Sequence, residues 1–271
     1  MTELQQRSRL TAPEVRTTLD RVDTWWRAVN HIAAQVPGGN RPAVAAATLT
    51  YAHLNRMIVR RGKRIRFVLG VREALPALTA LLRMEGVAGE AARLPSAAAL
   101  RNPGCTYALA YAIGMVLDEP GLTVAALVDE EEAMTTWKAR ALHNPLTDGA
   151  VLPILYQPTL DPAGVREVFG ACGWEPIEIC SPPAAVDLGE VHRCFAAALY
   201  VALDEIDAIT KAAGEGHEEP LARWPMLVLR TPWDWPPATD VPAEWFDASG
   251  RAVPDIVATG PEGDMRMSAD W

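Results

Sequence analysis

The sequence predicts a doubly wound, three-layer α/β/α domain built on a mainly parallel sheet of about five strands. Two observations carry that reading. Five short apolar runs alternate with stretches of helical periodicity, the pattern of strands joined by crossover helices. The chain has 271 residues, about half of them apolar, which is ample for a single large core.

The elements follow in order. Residues 1–14 form a polar tail. A helix is expected from Pro13 to Ala34, carrying Leu19, Val22, Trp25, Trp26 and Val29, and Pro37-Gly38-Gly39 breaks it. A second helix fits Ala43 to Val59. Arg60, Arg61, Lys63, Arg64 and Arg66 then read as a solvated turn, with an anion site as the alternative. The strand runs are 65–70, 122–128, 150–156, 176–180 and 226–230. Pro153 is expected at a strand end or a bulge. Helices are expected at 75–84, 107–117, 130–142, 161–170 and within 186–213, and residues 86–103 read as a loop region. The Asp161-Pro162 pair supplies an N-cap and a first-turn proline. Residues 15–232 make up the domain, and 233–271 form a Trp- and Pro-rich arm expected to rest on the sheet.

Composition narrows the function classes. A net charge of −9 argues against a nucleic-acid footprint. No run of about 18 apolar residues could span a membrane. The first residues lack the apolar centre of a signal peptide, so a cytoplasmic location is expected. Cys105, Cys172, Cys180 and Cys194 form no C-x-x-C pair; reduced and mostly buried thiols are expected rather than a zinc site.

In parallel sheets of this kind ligands bind beyond the carboxyl ends of the strands. Those ends are Gly70-Val71-Arg72-Glu73, Val128-Asp129-Glu130, Tyr156-Gln157-Pro158-Thr159, Cys180-Ser181 and Arg230-Thr231.

Several segments resemble, in order, the N-terminal domain of thiamine-diphosphate-dependent phosphoketolases. They are Trp25–Asn30, Tyr51–Arg56, Asn144–Leu155, Arg223–Pro232, Trp245–Pro254 and Gly263–Asp270. The likeness covers residues 15–271 and implies the diphosphate-binding type of the thiamine-diphosphate fold. It implies a magnesium ion, with hard oxygen ligands, holding the cofactor's diphosphate.

The pocket motifs of that family are changed here. Its G-D-G turn corresponds to Val128-Asp129-Glu130, which has lost the glycines that let backbone approach a diphosphate. Asp129 remains a candidate metal and cofactor ligand. The family's I-L-H-L-N-G becomes Ile154-Leu155-Tyr156-Gln157-Pro158-Thr159, so Pro158 stands at the asparagine ligand and Tyr156 at a histidine. Gln157 is a candidate cofactor contact. Asn40 and Glu73 stand at two further histidines, within Gly39–Pro42 and Gly70–Ala77, and the H-E-G-G-E-L-G stretch is largely missing near Pro103–Tyr107. Loss of imidazoles removes acid/base groups.

Candidate catalytic residues are therefore Glu73, Asn40 and Tyr156. Glu130, Glu131 and Glu132 read as a solvated helix start rather than a metal cluster. His53 and Asn55 read as packing residues, and His143 and His192 as isolated. The nine tryptophans belong to the core or to an interface.

Three functions are open. The first is a partner-dependent or non-catalytic phosphoketolase-like subunit with a degenerate site and no cofactor when isolated. The second is a repurposed, thiamine-independent enzyme using the old cleft. The third is a thiamine-dependent aldehyde-lyase half-subunit completed by a separate pyrimidine-domain chain. The chain stops at Trp271, before a pyrimidine-binding domain, so a homodimer or such a partner chain is expected.

Overall fold

A computed structural model describes residues 12–84, 107–136, 144–179, 188–216, 223–231, 241–258 and 260. The expected loop at 86–103, the helix beyond residue 136, His143, Cys105, Cys180 and the tail beyond Gly260 lie outside the described residues.

Five strands form one sheet: β1 (Arg64–Leu69), β2 (Leu122–Val128), β3 (Ala150–Tyr156), β4 (Trp174–Glu178) and β5 (Trp224–Leu229). Their order is β1-β2-β3-β5-β4, and every pairing is parallel. The chain steps over one position to lay down β4 at the edge and returns to insert β5. β2, β3 and β5 are buried almost throughout, whereas the edge strand β1 has exposed positions and β4 half-buried ones. Parallel strands covered on both faces need continuous apolar runs, and the sequence supplies them at the central positions.

Helices cover both faces. α1 (Ala12–Ala33), α2 (Arg41–Arg61) and α7 (Leu188–Gly214) touch one another; α2 lies on β1, and α7 on β4 and β5. α3 (Leu75–Met84) follows a single 3-10 turn, Arg72–Ala74, and packs on α1 and α2. α4 (Ala108–Val116) lies on β1, β2 and β3, and α5 (Glu130–Thr136) touches α4 and β3. α6 (Pro162–Gly170) lies against β4. No described helix is long and apolar enough to cross a membrane.

The caps follow the local chemistry. Asn40 Oδ1 accepts from Ala43 N at 3.3 Å to open α2, and Gly62 closes it with φ 60°, donating its N–H to Ile58 O. Asp161 Oδ1 accepts from Gly164 N at 2.7 Å, as expected for an Asp-Pro start. The Asn144–Gly149 segment is a turn held by the buried Asp148 and Gly149. Asp148 accepts from Asn144 N at 2.8 Å and Asp118 N at 3.1 Å, and a Cβ at Gly149 would meet Leu122 O at 2.2 Å.

Four expectations are corrected. Pro153 lies inside β3 rather than at its end or in a bulge. The β3–β5 ladder covers only Ile154–Tyr156 against Leu227–Leu229, so Pro153 and Pro225 both stand just before it. The basic run is not merely solvated. Arg61 lies 2.5 Å from Asp204, Lys63 pairs with Asp207, and Arg64 lies 3.0 Å from Glu119, so the run clasps the end of α2 to α7 and the start of β1 to the turn before β2. The described arm rests on α1, not on the sheet: Arg21 donates to Ala258 O at 2.7 Å, Phe246 stacks on His31 at 4.6 Å, and Gly260 abuts Trp25. A short helix α8 (Pro254–Val257) carries Ile256 into the core. Cys172 and Cys194 are half-buried rather than buried. Trp25, Trp26, Trp174 and Trp224 are core residues.

His192 is not isolated either. His53 Nε2 and His192 Nδ1 are 2.9 Å apart, both rings are buried, and His192 Nε2 lies 3.3 Å from Asp23. One of the two facing ring nitrogens donates and the other accepts, so the pair shares a single N–H. Burial holds His53 well below the usual histidine value, reinforced by His192 and then Arg56. A histidine kept neutral by folding is harmless above its unfolded value of about 6.5 and costs up to about 1.4 kcal/mol per pH unit below it. Stability should therefore fall as pH drops below about 6.5. Urea midpoints at several pH values check this, and His53→Leu should remove about one proton's worth of slope.

Candidate functional site

The carboxyl ends of all five strands meet on one rim. Gly70, directly after β1, is where the backbone is tightest. A Cβ there would lie 2.7 Å from Ala108 Cβ, 2.7 Å from Glu132 Oε2 and 2.8 Å from Leu127 O. Only glycine fits this junction of β1, β2, α4 and α5.

The structure joins four of the sequence-predicted residues into one chain of contacts. Asn40 donates its backbone N–H to Glu73 O at 3.0 Å, while its side chain caps α2. The Glu73 side chain is exposed and acts electrostatically on Tyr156. Burial pushes the Tyr156 phenol above its ordinary value; a hydrogen bond with Thr231 works against that, and the Glu73 carboxylate adds to it. Gln157 shares the same threonine. Its Nε2 donates to Thr231 Oγ1 at 2.8 Å and to the Thr231 carbonyl, and its N–H donates to Leu229 O at 2.9 Å. Gln157 holds φ 46°, a left-handed conformation disfavoured for a residue with a Cβ.

Asp129 stands at the end of β2 and serves α5. Its Oδ1 accepts from Glu132 N at 2.8 Å. Glu130 bridges β2 to β3, with Oε2 accepting from Thr159 N at 2.5 Å and Thr159 Oγ1 at 2.7 Å. Glu132 departs from the expected solvated helix start. It is fully buried, and its Oε1 accepts from Leu109 N at 2.7 Å. A carboxylate on the first turn of α4 satisfies an orphan N–H and complements the helix dipole, which accounts for its burial. Among the described residues, no three His, Cys, Asp or Glu side chains converge as a metal set.

Three members of the rim are not among the candidates read from sequence. Arg230 donates to Pro158 O at 3.0 Å and to Glu178 Oε2 at 3.2 Å, tying the β3 and β4 ends to β5. Thr231 is buried beneath Tyr156 and Gln157. Both directly follow β5, so the strand-end rule marked their location but not their partners. Glu132 sits three residues after Asp129, the spacing of a capping box, and that spacing was the available signal.

The rim is acidic. Glu73, Asp129, Glu130, Glu131, Glu132 and Glu178 stand against Arg72 and Arg230. Gln157 is its most constrained member. Gln157→Ala keeps the strained φ and strips Thr231 of a partner, so it should cost about 1–2 kcal/mol in urea unfolding. Gln157→Gly relieves the backbone and should cost less than the alanine variant by about 1 kcal/mol.

Comparison with known proteins bears on this rim. Residues 91–240 match the family described as XFP N-terminal domain, more than half of the chain. A probable phosphoketolase of Nocardia farcinica is 30% identical across 95% of this chain and 43% of its own length. One from Synechococcus elongatus is 29% identical across 92% and 44%, and one from Mycobacterium avium 30% across 93% and 44%. The chain thus spans less than half the length of these relatives. The alignment with the Nocardia protein runs over 361 positions against the 271 residues here, so that relative carries internal segments absent from this chain.

Proposed function

The chain belongs to the XFP N-terminal domain family, and from that membership we propose that it is a phosphoketolase-like subunit that holds no thiamine diphosphate by itself and works with a second chain. The observation that carries this reading is that the rim is closed by its own contacts.

A magnesium-bound diphosphate needs hard oxygen ligands in near-octahedral array and backbone N–H groups facing the phosphates. The residues present do not fit it. Asp129 keeps one oxygen on the helix start, and Pro158 has no side-chain oxygen while its carbonyl accepts from Arg230. The Gln157 amide is turned to Thr231. Ala108 and Glu132 fill the space beside Gly70. Among the described residues, the carboxylates at the rim outnumber the guanidinium groups there, which disfavours a diphosphate.

Isothermal calorimetry of the chain with thiamine diphosphate and magnesium should show no binding heat. Micromolar binding abolished by Asp129→Ala would overturn the reading.

The second chain is proposed from the surface beside the rim. Tyr107, at the start of α4, and Met134, on α5, expose 45% and 41% of their surface there. Apolar groups next to a cleft favour association. The partner is a second copy or a pyrimidine-binding-domain-like chain. Sedimentation at micromolar concentration should give a dimer, alone or with such a chain added, and Tyr107→Glu should weaken it. A monomer under both conditions rejects the proposal.

A further inference from the structure

Arg27, Asn30, His31 and Ala34 lie at helical spacings of three and four along and just past α1, so they share one stripe. That stripe faces a cavity of about 170 Å³. Val36, Gly39, Arg41 and Val44 close its other side, and Pro76 of α3 completes the lining.

Its polar half carries the guanidinium groups of Arg27 and Arg41 beside the His31 ring, and among the described residues no carboxylate lines it, although the chain carries a net charge of −9. Arg41 opens α2, whose first turn holds no acidic residue, so the amino-terminal end of that helix adds a field of the same sign. The other half is apolar, formed by Ala33, Val36, Val44 and Pro76.

Three contacts fix the polar half. The Nε of Arg27 lies 2.7 Å from Asp23 one turn earlier on α1, and the Arg27 side chain lines the cavity. His31 is stacked on Phe246 of the arm at 4.6 Å. The Asn30 amide donates to Trp26 O at 2.7 Å and Thr48 Oγ1 at 3.1 Å, so its donors belong to the fold. At the inner end, Gly39 lies so close to α3 that a Cβ would stand 2.6 Å from Pro76 Cγ.

We propose that this cavity, between α1 and the start of α2, binds a small carboxylate with a short apolar tail of two to four carbons. A guanidinium fork matches the planar carboxylate head. The apolar wall takes the tail, whereas inorganic phosphate would leave that wall in contact with water. The cavity adjoins the rim where Gly39 and Arg41 flank Asn40, but the assignment does not rest on the function proposed above. The Asn40 side chain itself caps its own helix start.

Saturation-transfer NMR on the full chain at low ionic strength, with butyrate as probe, tests this. Butyrate should bind with a dissociation constant in the millimolar range, roughly that of a six-heavy-atom ligand. Arg41→Gln should weaken it roughly tenfold, the loss of one charge-assisted contact. Ala34→Phe, which fills the cavity without removing a charge, should abolish transfer while the circular dichroism spectrum is kept. Arg166→Gln, an exposed change on α6, should leave binding as it is. No transfer to butyrate overturns the proposal, as does equal weakening by Arg41→Gln and Arg166→Gln. Phosphate displacing butyrate at a lower concentration would overturn the carboxylate assignment.

Discussion

The burial of three adjacent parallel strands on both faces is the constraint from which the rest of the structure follows. β2, β3 and β5 have almost no exposed position. Polar side chains are scarce along their length, Thr123 of β2 being one, because an unpartnered polar group there would cost several kcal/mol. Helices must cover both faces, and polar chemistry must collect where the strands stop. The same constraint sets the limits on proline. Pro153 and Pro225 are tolerated only because the β3–β5 ladder begins after both, and Pro176 because β4 is an edge.

The strand ends answer that constraint by contacting one another. Glu130 ties the β2 end to Thr159 after β3. Gln157 ties the β3 end to Thr231 after β5, and Arg230 ties β5 to both Pro158 and Glu178. Each bond is modest alone, about 1 kcal/mol, but together they fix the loops where a ligand-binding sheet would leave donors facing outward. Gln157 makes the cost visible: a left-handed backbone is held by the side-chain and backbone bonds of the same residue.

Much of the fold was legible in the sequence because it depends on local pattern. Residues 122–128 and 150–156 read as strands from their apolar runs, and Asp161-Pro162 as a helix start from its chemistry. What escaped depends on distant partners. His192 meets His53 across 139 positions, and nothing near either residue announces the other. Glu132 looks like surface charge until the first turn of α4 is brought against it. The arm's tryptophans and prolines suggested a cover for the sheet, yet its described residues find α1, because α1 presents Trp25 and His31 to Gly260 and Phe246. For the rim, the strand-end rule pointed to the place and the family resemblance singled out Asn40, Glu73, Tyr156, Gln157 and Asp129, while their contacts through Thr231 and Arg230 required the fold.

The helix layer around α1 follows a different logic from the rim. It contains the Asp23–His192–His53 chain on one side and the stripe of Arg27 and His31 on the other. Asp23 connects the two, since it lies 3.3 Å from His192 and 2.7 Å from Arg27. Only the His192 contact reaches another helix, since Arg27 lies one turn from Asp23 on α1 itself, so Asp23 links α1 to α7 while the arm meets other faces of α1: Phe246 meets His31, and Arg21 meets Ala258 O. The layer that covers the sheet is thereby more than a lid. It is an ordered surface with its own polar interior, and it keeps a cavity beside a rim whose strand ends are tied to one another.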